Sequence, residues 1–181
     1  NRPDCEYPFK GLAAVGVGFK VVQALSERFM DGDDRRRYLN SILEYVALGT
    51  VADMAPMKGE NRILTRRGMQ VLEKSERHGI RALKTISSTK GKIDSTSIGF
   101  FLGPRINSAG RIQKADVALN LLRASNPVDA ARLAEELNSL NLQRQELQHA
   151  GIEDAERQVI ELGLADKRMV MVKGDDWHLG V

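Results

Sequence analysis

The chain has 181 residues, 42% of them hydrophobic and 28% charged, with a formal net charge of +3. That composition excludes disorder as the main state and a low-complexity or collagen-like chain, and no apolar run reaches the ~18–20 residues a membrane helix needs. The single cysteine, Cys5, excludes an internal disulfide and any thiolate zinc cluster and fits a reducing cytoplasm, while an aromatic content of 5% excludes base stacking as the main source of any nucleic-acid affinity.

Segment 11–29 is apolar almost all round and long enough for a helix, which predicts a buried one. Asp31 to Asp34 ends it and caps a second helix over about 35–48, where Leu39, Ile42, Leu43 and Val46 keep helical spacing. Gly49 to Pro56 reads as a loop after that helix. A basic helix follows over about 60–75, and a short one over 79–87. Asp94 is placed to cap a helix at 95–102. Gly103-Pro104 predicts a break there and a loop over 105–111, before a helix at 114–124. Asn126, Pro127 and Asp129 form a strong helix start, and the helix they open runs to about 162. Leu133, Leu137, Leu140 and Leu147 stripe one side of it. The run 168–173 (RMVMVK) reads as a strand. No leader is visible. The chain opens at Asn1 without Met and closes just after that strand-like run, so it reads as a piece of a longer protein.

The charge is unevenly spread. Residues 1–59 are neutral, residues 60–111 carry 11 bases against 4 acids, and residues 112–181 carry 8 bases against 12 acids. A basic middle suits a polyanion partner, and equally a basic surface with no ligand. No Ser-His-Asp or Cys-His arrangement and no Walker-type loop is present, and His78, His149 and His178 lack metal-ligand spacing. Asp53, in an apolar stretch punctuated by Gly and Pro, has three readings: a helix cap, a buried hydrogen-bonded carboxylate, or a metal ligand that needs partners from elsewhere. The segment from Arg105 to Arg111 combines two guanidinium groups with Asn107, Ser108 and glycines. That composition suits phosphate binding, and equally a solvated loop whose arginines cap helix ends.

Several segments together resemble the bacterial RecJ family, single-strand-specific DNA exonucleases of the DHH phosphoesterase superfamily. Residues 1–19 (NRPDCEYPFKGLAAVGVGF) look like the stretch after that family's Asp-His-His motif. Residues 47–62 (ALGTVADMAPMKGENR) are similar to its fourth metal-binding motif. Residues 102–111 (LGPRINSAGR) are similar to a signature loop, with Ser108 where Ala is usual. Residues 137–145 match its connecting helix, and 174–181 (GDDWHLGV) look like the opening of a DHHA1-type domain.

The resemblance implies a mostly α chain. It would comprise the rear part of an α/β DHH catalytic domain over 1–125, a long connecting helix over 126–163, and the first strand of a DHHA1-type substrate-binding domain over 164–181. It implies metal-dependent hydrolysis of single-stranded DNA from the 5′ end, in repair and recombination, with a pair of Mn²⁺ or Mg²⁺ ions. It implies Asp53 as a metal ligand and catalytic residue, and Arg105, Asn107, Arg111 and His178 as contacts to DNA phosphate. The other metal ligands of the family lie in motifs upstream of Asn1, so the chain alone is expected to be inactive. Single-stranded DNA is the implied partner, with a single-strand-binding protein and a helicase beside it and a monomeric, cytoplasmic enzyme. Two rival readings stay open: a DHH-type phosphoesterase acting on short oligonucleotides or small phosphoesters, and a DNA-binding module without catalysis.

Overall fold

Seven α-helices and one π-helical turn carry the chain, in a computed structural model that describes residues 4–181. They are α1 (Ala14–Phe29), α2 (Gly32–Ala52), α3 (Gly59–Glu73), α4 (His78–Ile86), the π turn (Ser97–Leu102), α5 (Gly103–Ile112), α6 (Asp116–Arg123) and α7 (Pro127–Glu161). The first three residues of the 1–19 motif lie outside the described residues. The core is formed where the apolar sides of α2 to α7 meet, around Leu48, Leu72, Ile80, Leu102, Leu121 and Leu137, all nearly or fully excluded from solvent. α2 and α3 approach very closely. A Cβ on Gly68 would stand 2.1 Å from the Leu43 carbonyl oxygen, so only glycine lets these backbones meet.

Two of the three predicted caps form; Asp31 stands at the start of α2 but its side chain makes no capping bond. Asn126 Oδ1 accepts the Asp129 N–H at 2.9 Å and opens α7 with Pro127 in its first turn. Asp94 Oδ1 accepts the Ser97 N–H at 2.7 Å, and this bond together with the Ser97 hydroxyl holds the Asp94 carboxyl below the usual range. α7 runs as its spacing predicts. Leu133, Leu137 and Leu140 are buried, while Leu147 stands at the edge of the packed region.

Four expectations are corrected. α1 is not buried: Val17, Val21, Leu25 and Phe29, one turn apart, line a solvent-facing stripe, and only its Gly16, Phe19 and Ser26 are buried. Residues 49–52 continue α2 instead of forming a loop. The helix closes only at Asp53–Ala55, where Met54 takes a left-handed backbone (φ 50°) and the Ala55 N–H reaches the Thr50 carbonyl at 3.1 Å. Residues 105–111 are helical, because Gly103-Pro104 sits in the first turn of α5, where a missing N–H costs nothing, and Ser108 and Ala109 give the helix a buried face. Residues 168–173 form no strand, because among the described residues no second strand offers a ladder to pair with.

One buried side chain fixes the entry to α3. Asn61 Oδ1 accepts the Ala13 N–H at 3.0 Å, and its Nδ2 donates to the Gly11 carbonyl at 2.7 Å and the Pro56 carbonyl at 3.1 Å. The lead into α1, the Asp53 loop and α3 are thereby tied to a single amide. Asn61→Ala leaves those backbone groups unpaired in the interior and is expected to destabilise the fold by about 2–4 kcal/mol. Urea unfolding measures this, and a loss under about 1 kcal/mol would contradict the clamp.

Candidate functional site

Asp53 is the residue at which α2 stops, and its backbone N–H bonds the Gly49 carbonyl at 3.0 Å. Its side chain is exposed and makes no hydrogen bond or ion pair among the described residues. The buried reading of Asp53 is therefore excluded, and its carboxylate caps nothing. It faces a cleft of about 460 Å³ between α2, α5 and α6, where Val15, Tyr45, Asn107, Leu119 and Arg123 also line the wall.

α5 sorts the predicted phosphate contacts by helical periodicity. Asn107 and Arg111, one turn apart, share a face. Asn107 turns toward the cleft, its Nδ2 donating to the Ala52 carbonyl at 3.4 Å. Arg111 Nη1 donates to the Gly180 carbonyl at 2.8 Å, and the Gly180 N–H donates to His178 Nδ1 at 3.0 Å. A Cβ on Gly180 would lie 2.9 Å from the Arg111 carbonyl oxygen and 3.2 Å from the His178 ring, so these three residues converge. Arg105 lies apart from both groups. It packs toward α7, with Nε donating to Asn138 Oδ1 at 3.0 Å and Nη1 to the Phe101 carbonyl at 2.7 Å, and partial burial lowers its guanidinium pKa from the ordinary arginine value.

The segment carrying His178 is fastened to α7. Trp177 Nε1 donates to Asp154 Oδ2 at 3.0 Å, and Gln158 Nε2 donates to the Lys173 carbonyl at 2.8 Å. On the other side of the Asp53 loop, Glu60 accepts Lys20 at 2.5 Å and also the Tyr7 hydroxyl. The Lys20 ammonium, then the Tyr7 hydroxyl, hold the Glu60 carboxyl below the usual glutamate range, and Glu60 in turn raises Lys20. Glu60 is thus committed to a cation of its own chain, which leaves Asp53 as the unpaired carboxylate of this region. No group of three His, Cys, Asp or Glu side chains comes together among the described residues. Asp53 fits a hard divalent cation as one oxygen ligand of a larger set.

Sequence reasoning passed over Arg123, which shares the cleft with Asp53 and Asn107. It sits in the last turn of an amphipathic helix, where a basic residue is unremarkable.

No protein-family model matches the chain. The single-stranded-DNA-specific exonuclease RecJ of Bacillus subtilis is 35% identical over 182 residues, covering all of this chain and 22% of the relative. The RecJ of Escherichia coli is 37% identical over 198 residues, covering all of this chain and 33% of the relative. The crystal structure of Thermus thermophilus RecJ in complex with Mn²⁺ superposes with a TM-score of 0.77 at 30% identity, over 98% of this chain and 25% of that one. Over its whole length the chain is similar to RecJ. It spans about a fifth to a third of the length of the RecJ relatives it matches. A second RecJ structure, bound to manganese, superposes equally well, with a TM-score of 0.77 over 98% of the chain. The likeness to RecJ thus runs from the Asp53 region through α5 and α7 to the His178 segment.

Proposed function

We propose that the chain is part of a metal-dependent exonuclease that hydrolyses phosphodiester bonds of single-stranded DNA from the 5′ end, in repair and recombination. The observation that carries this is an exposed carboxylate, Asp53, without a hydrogen-bond or ion-pair partner among the described residues, inside a chain that is RecJ-like over its whole length. Residues 1–125 would be the rear of the DHH catalytic domain, 126–163 the connecting helix, and 164–181 the start of a DHHA1-type domain. Single-stranded DNA is the partner, with a single-strand-binding protein and a helicase acting beside a monomeric cytoplasmic enzyme. Among the described residues no helix is long and apolar enough to cross a membrane.

Asp53 would hold one of two Mn²⁺ or Mg²⁺ ions together with ligands from outside this chain. Such ions supply an activated water and neutralise charge on the attacked phosphate. Asp53 must be ionised to serve. Arg105, Asn107, Arg111 and His178 would hold the strand by its phosphates. Arg111 has N–H groups left over after its bond to Gly180, and Arg105 after its two bonds. With a single carboxylate of the site present, the chain alone would not turn over DNA. A nuclease assay on the longer protein, comparing long single strands with dinucleotides, tests the reading. Cleavage of dinucleotides with long strands untouched would replace it with the small-substrate phosphoesterase.

Arg111→Ala and Arg105→Ala are each expected to weaken binding about equally for all sequences. Each should flatten the dependence of log affinity on log salt by ~0.7. An unchanged slope in the double variant would leave both arginines as structural ties, from α5 to the C-terminal segment and to α7.

A further inference from the structure

On the single-strand reading above, we propose that the cleft between α2, α5 and α6 is a subsite for one nucleotide unit of the strand, in which Arg123 holds a phosphate. Arg123 is exposed at the rim and forms no hydrogen bond or ion pair among the described residues, although it shares the cleft with the unpaired Asp53. A cation and an anion lining one cavity without pairing leave both free for a third party. A phosphodiester suits the guanidinium fork, and the carboxylate stays available to hold a metal ion.

The cavity between them has the size and lining of a ligand site. Its volume, about 460 Å³, lies in the range of small-molecule pockets. Its wall is apolar, from Val15, Leu48, Leu119 and Leu122. Leu119 is about half exposed, an apolar surface left open beside a charged rim. One hydrogen bond ties the wall together. The Tyr45 hydroxyl donates to the Leu122 carbonyl at 3.2 Å, tying α2 to α6 across the cavity floor, and burial keeps that hydroxyl protonated by raising its pKa. An apolar wall beside a phosphate anchor takes the sugar and base of a nucleotide without reading its sequence.

The test is fluorescence anisotropy of a short labelled oligothymidylate with this chain, in the absence of divalent metal and across a salt series. Arg123→Ala is expected to weaken binding about five- to tenfold and to lower the salt slope by ~0.7, and Arg123→Lys to recover most of the affinity. Lys90→Ala, which removes the same charge from an exposed loop residue that does not line the cleft, is the control for net charge and is expected to change affinity less than about twofold. Thermal melting confirms that each variant is folded. If Arg123→Ala behaves as Lys90→Ala does, in affinity and in slope, the nucleotide subsite is overturned while the single-strand reading stands. If the unaltered chain does not bind the oligothymidylate at low salt, the single-strand reading of this chain fails, and the subsite with it.

Discussion

Asp53→Ala, placed in the longer protein that carries this chain, is expected to lower turnover of single-stranded DNA at least about a thousandfold at saturating Mn²⁺. The expectation follows from where the carboxylate stands. It is exposed and makes no hydrogen bond or ion pair among the described residues, so its removal takes nothing from the fold, and the α2 C-terminus is closed by backbone bonds and by Asn107, which donates to the Ala52 carbonyl. Melting temperature should therefore be unchanged while activity collapses. Asp53→Asn preserves shape and loses the charge, and should fail nearly as badly, because a neutral amide oxygen is a weaker ligand for a hard cation. Titration of Mn²⁺ into the variant by calorimetry gives a second readout, a lost or weakened metal-binding step. Near-normal turnover with normal metal binding would make Asp53 a residue of the helix end and nothing more.

What the sequence could and could not reveal divides by the range of the interactions. The caps at Asp94 and Asn126 and the apolar spacing of α7 are local, and the structure has them where the sequence places them. The misread segments are those whose state is set by distant contacts. Residues 105–111 have loop composition, yet Ser108 and Ala109 bury a helical face. The stretch at 168–173 has strand composition, yet a strand needs a partner ladder. The stripe Val17, Val21, Leu25 and Phe29 made α1 look interior, but composition cannot say whether an apolar face has anything to pack on. The same division holds for the site. Asp53 stands out in the sequence by its punctuation, whereas Arg123 becomes visible only when α6 is set against α2, and Asn61 only when its three backbone partners, from two separate segments, are brought to it.

The second large effect concerns stability. Glu44 on α2 is 1% exposed, and its one close cation among the described residues is Arg77, whose Nε lies 2.6 Å from Oε1. The contact has ion-pair distance without the alignment of a hydrogen bond, and Oε2 has no donor at all. The carboxylate is thus buried with a single compensating charge, and Arg77 also lies over the Tyr45 ring at 5.4 Å. Desolvating a carboxylate costs several kcal/mol and is offset here only by that guanidinium. Arg77→Ala is expected to destabilise the fold by about 3 kcal/mol, the low end for a broken buried ion pair, because Arg77 itself is half exposed and its loss admits water. Replacing both partners, as in Glu44→Leu with Arg77→Ala, removes the buried charge along with its partner and should recover most of that loss. Urea unfolding of the two single variants and the double variant measures the coupling. If Arg77→Ala costs under about 1 kcal/mol, the pair behaves as a surface salt bridge, and Glu44 is reached by water despite its burial.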